Sequence, residues 1–437
     1  MGRFEEVQTL LEQVRPDELV VHSGKVVQVI GLMIESSGPS VVSIGERCLI
    51  RMRNGRGIEA EVVGFKEGNV LLMPYGETTA IAPGSDVIAT GKPLHVPVGE
   101  GLIGKVLDGL GRALDGEDLS KLETTSIVKT PPNPLERPRI DEVLSTGIRA
   151  IDGLLTVGKG QRVGLFAGSG VGKSTLLGMI AKRSTADINV IALIGERGRE
   201  VKEFIEAELG PEGMSRSVII VATSDQPPLV RLKGAYTATA IAEYFRDQGK
   251  NVVLMMDSVT RFAMAQREIG LATGEPPASK GYTPSVFALL PQLLERSGRT
   301  TAGSITAFYT VLVDGDDMNE PIADAVRGIL DGHFVLDRSL ANKGQYPAIH
   351  VLRSISRVMN QITDPEQKEA AILFRQLLST YLDAEDLINI GAYKSGTNQE
   401  IDRAVEKYPK LIEFLKQRVE EKSSFDEALD ALFETSR

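Results

Sequence analysis

Residues Ala167–Thr175 read AGSGVGKST. Small residues at Gly168, Ser169, Gly170 and Gly172 let the backbone curl around Val171. Successive N–H groups then point inward at phosphate oxygens. Lys173 can reach the β- and γ-phosphates, Ser174 can place its hydroxyl on Mg²⁺, and Thr175 follows as a helix residue. An apolar run, Arg162–Ala167, precedes the loop as a strand. The run TLLGMIAKR follows it as a helix whose positive end lies beneath the anion. Ala167 stands where this pattern usually has its first glycine. Strand, loop and helix in that order read as a phosphate site rather than a ligand-free turn.

Around this loop, apolar runs recur at Asn189–Ile194, Ser217–Ala222, Val252–Met256, Ser304–Tyr309 and Phe334–Leu336, with helical stretches between most of them. Continuous apolar strands of this length fit a parallel sheet covered on both faces. Two of the runs end in acids. Asp257 closes NVVLMMDS, where P-loop enzymes carry a magnesium-side carboxylate. Glu196, in IGERGREV, can polarise a water in line with a γ-phosphate. Glu200, Arg197 and Arg199 compete for attention in the same motif.

Ahead of Thr146 the texture is β. Six short runs (Lys25–Ile30, Val41–Ile44, Arg47–Arg51, Ile58–Phe65, Asn69–Met73, Asp86–Ala89) lie between glycine, proline, serine or asparagine turns and predict a small closed barrel. Cys48 reads as a buried structural thiol. Residues 98–116 are dense in glycine, and the proline-rich 131–138 reads as a linker. Phe4, Val7, Leu10, Leu11 and Val14 lie at helical spacing among glutamates. They suit either a helix on its own domain or an arm that docks a partner helix, and the second reading is preferred. After Asp364 the chain reads as charged helix. The expected organisation is an N-terminal helix (1–20), a β-barrel (21–95), an α/β P-loop domain with a mostly parallel sheet (96–365) and a helical C-terminal domain (366–437).

Composition narrows the function. A single cysteine in 437 residues excludes an intrachain disulfide and a cysteine-built zinc site. Four scattered histidines do not make a metal cluster. No run of about 18 apolar residues is present, and the acidic start is not a signal peptide, so a cytoplasmic protein is expected. A net charge of −10 with 5% aromatics opposes a dedicated nucleic-acid binder.

AGSGVGKST, GERGREV, VVLMMDSVTRFAMAQRE, GYTPSVFALLPQLLERSG and SISRVMNQ, in this order, resemble the rotary ATP synthase catalytic-subunit superfamily. DGLLTVGKGQR (Asp152–Arg162) and PPASKGYTPSVFALLPQLLERSG (Pro276–Gly298) look like its protein-export branch, the ATPases of type III export, with the flagellar group nearest. The resemblance implies a RecA-like P-loop ATPase domain for residues 96–365, ATP and Mg²⁺ as cofactors, and Glu196 as the water-activating base. It implies Lys173, Arg197 and Arg261 around the γ-phosphate and Arg357 as an arginine finger supplied by a neighbouring subunit. Arg353 is a rival for the finger. Tyr346 is implied as a ring against adenine, with Tyr393 a weaker candidate. It further implies a homo-oligomer, a six-membered ring, a stator-like regulator at the N-terminus, and export chaperones and export-gate proteins as partners at the cytoplasmic face of the membrane. Alternatives are an injectisome ATPase, a rotary ATP synthase subunit, and a termination-type RNA helicase. The helicase lacks support, because Phe65 and Tyr75 are the only aromatics between residues 20 and 95.

Overall fold

Short β-branched segments cannot bury a face alone, and in the first part of this chain they close on one another. The computed structural model describes residues 21–52, 55–168, 170–313 and 317–436; the helix expected before residue 20 lies outside them, as does Ser169. Six antiparallel strands, β1 (Ser23–Ile30), β2 (Met33–Ser36), β3 (Glu46–Arg51), β4 (Gly57–Lys66), β5 (Asn69–Pro74) and β6 (Asp86–Pro93), form a closed barrel in the order β1-β2-β5-β4-β3-β6. Val26, Ile34, Ile50, Val62, Leu72 and Val87 fill its interior. Cys48 is fully buried among them, and burial first, then Glu46, pushes its thiol up to about 12. That thiol is unreactive packing.

One expected strand is corrected. Val41–Ile44 forms no ladder, and Val41 and Ile44 are 64% and 69% exposed. Its place in the barrel is taken by β2, folded back on β1 through a tight turn with Gly31 at φ 57. The sequence MIES carries little β-branched signal, so hairpin geometry rather than propensity decides it.

The chain divides into two compact units, the first holding the chain up to His95 together with Pro227–Leu229 and Glu268–Pro276, the second the rest. In chain order the second unit contains β7 (Val106–Asp108), α1 (Arg149–Leu154), β8 (Arg162–Ala167), α2 (Lys173–Arg183), β9 (Ile188–Ile194), α3 (Gly198–Glu203) and β10 (Ser217–Ala222). Next come α4 (Pro228–Asp247), β11 (Asn251–Asp257), α5 (Val259–Ala272), α6 (Pro284–Leu294), β12 (Ser304–Leu312), α7 (Pro321–Ile329), β13 (Gly332–Leu336) and β14 (Ile355–Ser356). The principal sheet runs β14-β13-β8-β12-β11-β9-β10-β7 and is parallel except at β14. β9 and β10 are buried at every position, as strands covered on both faces must be. β7, inside the glycine-dense stretch, is too short to show in the sequence. The carboxyl ends of β8, β9 and β11 share one side of the sheet, where parallel α/β folds place their sites.

Three helices finish the chain: α8 (Pro365–Asn389), α9 (Gln399–Leu415) and α10 (Phe425–Ser436). They share one apolar core with the sheet, in which Phe374, Phe414 and Leu432 join Leu165 and Ile180. Gly153 on α1 permits this closeness, since a Cβ there would stand 2.9 Å from the Phe414 ring. The proline-rich 131–138 is not a boundary. It lies within the second unit, and Arg137 donates to Ser297 O at 3.0 Å. Arg296 and Glu243, 1% and 2% exposed, form a two-bonded ion pair at 2.8 and 2.7 Å that ties α4 to the end of α6. Arg296→Met should destabilise the second unit by about 3–5 kcal/mol in denaturant unfolding, because it leaves the Glu243 charge buried without its main partner.

Candidate active site

β8 ends at Ala167 and the chain turns through Gly170 (φ 75) and Gly172 (φ 83), left-handed positions that cost glycine little, before α2 opens at Lys173. A Cβ on Gly172 would touch the Tyr346 ring at 3.4 Å, so that half-exposed ring lies against the loop. Val171 is buried beneath the loop and anchors it to the core.

The Lys173 side chain runs back across the strand ends. Its Nζ lies 2.5 Å from Asp257 Oδ1 at the end of β11 and 3.7 Å from Glu196 Oε1 just beyond β9. Thr310 on β12, between β8 and β11, donates its hydroxyl to the same Asp257 oxygen at 2.7 Å. The three charged side chains are only 13%, 5% and 17% exposed. Sequence reasoning missed Thr310 because it ended the apolar run at Tyr309, while β12 continues to Leu312.

Two acids share one cation here, and the charges do not divide evenly. Burial first, then the negative charge of Asp257, pushes the Glu196 carboxyl up to about 7, against the pull of Lys173. Burial lowers the Lys173 pKa, but Asp257 and Glu196 outweigh it and the net direction is upward. Lys173 therefore stays charged, while Glu196 titrates near neutrality, the range in which a general base works.

Arg261, in the first turn of α5, packs its stem over Gly195, where a Cβ would meet Arg261 Cβ at 2.8 Å. Its Nε is buried with no acceptor among the described residues. The Ser174 side chain is exposed with no partner among the described residues, whereas the Thr175 hydroxyl donates to Glu208 Oε1 at 2.8 Å. Gly168 is half-buried at the loop's entry. No group of three or more acids, histidines or cysteines among the described residues could hold a metal. Ser174 and Asp257 still fit Mg²⁺, which takes few protein oxygens and completes its shell with water and phosphate.

Three expected residues lie apart from this cluster within one chain. Arg197 is 69% exposed and pairs with Glu200 at 3.2 Å. The Tyr393 hydroxyl, with one hydrogen to donate, lies 2.9 Å from both Asn398 O and Asp402 Oδ1, and the side chain lines a separate concavity in the helical region. Arg357 is exposed and follows β14, its backbone N–H donating to Asp331 O at 3.0 Å. That places it at the start of β13, while the phosphate loop leaves from the far end, where Ala167 pairs with Leu336. The strand between Gly332 and Leu336 alone spans roughly 13 Å. Arg357 therefore cannot serve the loop of its own chain. Its rival Arg353 is engaged with Asp337 at 3.2 Å.

Residues 147–356 match the ATP synthase alpha/beta family, nucleotide-binding domain, residues 26–91 its beta-barrel domain, and residues 363–434 the T3SS EscN ATPase C-terminal domain. The chain belongs to the ATP synthase alpha/beta family. Within that family it is 64% identical to the flagellum-specific ATP synthase of Bacillus subtilis (strain 168), over 97% of this chain and 98% of the relative. It is 51% identical to the type 3 secretion system ATPase of Xanthomonas euvesicatoria, over 94% and 93%. The solved structure of the assembled ATPase EscN from the enteropathogenic E. coli type III secretion system superposes with a TM-score of 0.90 at 46% identity, covering 95% of this chain and all of that one.

Infrared titration of the carboxyl bands, differenced against Glu196→Gln, should find a group half-ionised at about pH 7. Asp257→Asn should move that midpoint down toward the ordinary carboxylate range, because it removes the neighbouring negative charge. A Glu196 midpoint that is already ordinary in the unaltered protein would contradict the electrostatics described here.

Proposed function

We propose that this chain is the ATP-hydrolysing subunit of a flagellar type III protein export apparatus, acting in a homo-oligomeric ring. The observation that carries the reading is the buried Lys173–Asp257–Glu196 cluster at the mouth of the phosphate loop. The 64% identity to a flagellum-specific ATP synthase favours the flagellar over the injectisome role.

In this reading the loop's backbone N–H groups and Lys173 hold the phosphates, and the Tyr346 ring flanks the adenine. Glu196, ionised, takes a proton from the attacking water as it adds to the γ-phosphorus and the bond to the β-phosphate oxygen breaks. ADP and phosphate are the products. Arg261 neutralises charge developing on the γ-oxygens. Bound Mg²⁺ would add Lewis-acid polarisation of the phosphates, held by Ser174 and Asp257. Arg197 reaches the site only if its pair with Glu200 opens. Arg357 acts on the nucleotide of an adjoining copy, which makes hydrolysis depend on assembly. A head-to-tail contact that closes gives a ring, and six subunits are proposed. Residues 1–20 are proposed as the dock for a stator-like regulator. Residues 21–95, 96–365 and 366–437 serve as barrel, motor and partner-facing helical parts. Export chaperones and gate proteins are the proposed partners, met at the cytoplasmic face of the membrane. No described helix is long and apolar enough to cross that membrane, so the association would be peripheral.

Lys173→Ala should abolish ATP turnover, and unchanged hydrolysis would remove the phosphate assignment. Glu196→Gln should still bind ATP while losing about 10²–10⁴ of the rate. A carboxylate, not a carboxylic acid, accepts the proton, so turnover in the unaltered protein should fall as pH drops through about 7. That acid limb should be absent from the residual rate of Glu196→Gln. A deletion strain should be non-motile and regain swimming with the unaltered gene but not with Lys173→Ala. Motility without the gene would contradict the flagellar role.

A further inference from the structure

The stretch Asp152–Arg162 carries no group of the phosphate site, yet it holds several of the most deeply buried polar side chains in the unit. Asp152, Thr156 and Gln161 are all 0% exposed. Gln161 uses its amide fully. Its Oε1 accepts from Gly158 N at 2.9 Å, and its Nε2 donates to Ser356 Oγ at 3.0 Å and to Asp331 O at 3.2 Å. Asp331 O is also the acceptor of the Arg357 backbone N–H at 3.0 Å. One carbonyl oxygen thus joins the Gln161 amide to the residue that bears the finger.

Ser356, immediately before Arg357, is held from a second side, since its hydroxyl donates to Thr156 O at 2.8 Å. Thr156 in turn donates to Asp152 O at 2.8 Å and accepts from Gln367 Nε2 at 2.8 Å. Gly332 lets the strand approach this closely, because a Cβ there would stand 2.6 Å from Ile355 O and 3.3 Å from Gln161 Nε2. A two-residue edge strand such as β14 has little ladder of its own, and these side-chain bonds fix its height and register.

We propose that Gln161 is a positioning residue for Arg357, fixing the exposed arginine through Ser356 and Asp331 O so that it meets the nucleotide of the adjoining copy in one geometry. The proposal rests on the reading that Arg357 acts between subunits. Its consequence is directional: the defect of a Gln161 variant belongs to the site next door, not to its own.

Mixed rings test this direction. Gln161→Met keeps the bulk and removes the amide. Ser356→Ala removes only the hydroxyl and serves if the first variant melts early or fails to assemble. Each variant should bind ATP with unchanged KM, and its kcat should fall about tenfold. Mixing either with Lys173→Ala subunits should restore turnover, because intact fingers then serve the variant's own nucleotide sites. Mixing either with Arg357→Ala should restore nothing, because both subunits present a faulty finger. Unchanged kcat in both variants would overturn the proposal, as would recovery with Arg357→Ala or its absence with Lys173→Ala. The control mixture of Arg357→Ala with Lys173→Ala separates the two readings. If that mixture stays inactive, it is the finger between subunits that fails, rather than the role of Gln161.

Discussion

One cation shared by two buried acids is the interaction around which this molecule is organised. Lys173 Nζ lies 2.5 Å from Asp257 and 3.7 Å from Glu196. In a low-dielectric cleft a single positive charge cannot satisfy two carboxylates equally. Asp257 is the nearer acid and also accepts from Thr310. Glu196 is the farther one, and burial first, then the Asp257 charge, raises its pKa. In the proposed reading that raised carboxyl is the base. The loop, the sheet order and the left-handed glycines matter functionally because they bring these three side chains to one point from three strands.

In the proposed reading the cluster binds phosphate, and a further positive charge comes from Arg357 of an adjoining copy. Arg357 stands at the opposite end of β13 from the phosphate loop, exposed and without an acidic partner among the described residues. In that reading a single chain holds both halves of an active site but does not join them. The assembled ATPase EscN has the same fold at a TM-score of 0.90. Dependence on neighbours is in this view a consequence of where one edge strand lies.

Much of this was legible in the sequence because the phosphate loop imposes a tight spacing and buried parallel strands leave continuous apolar runs. β8 and β10 fall where those runs predict, and Asp257 and Glu196 both sit at strand ends. Other features depend on three-dimensional closure and leave weak local traces. MIES becomes a barrel strand only because the turn at Gly31 returns it to β1, while the more β-branched Val41–Ile44 stays outside the ladder. β7 is three residues long in a run of glycines. Thr310 reaches Asp257 only because β12 is inserted between β8 and β11, an order no linear reading supplies. The continuity of the core between sheet and terminal helices likewise depends on Gly153 opposing Phe414, far apart in the chain.

Neighbouring residues of the same kind show how the fold separates working groups from structural ones. Thr175 and Ser174 are adjacent hydroxyls at the start of α2. The first is committed to Glu208, and the second has no partner among the described residues. Arg353 and Arg357 are four residues apart. The first pairs with Asp337, and the second reaches outward with only its backbone tied down. A group whose hydrogen bonds are spent inside the chain cannot change partners during a reaction without losing stability. A group left open can bind and release a ligand without that loss. The motifs favour Ser174 and Arg357, and hydrogen-bond commitment favours the same members, since Thr175 and Arg353 are the ones already engaged inside the chain.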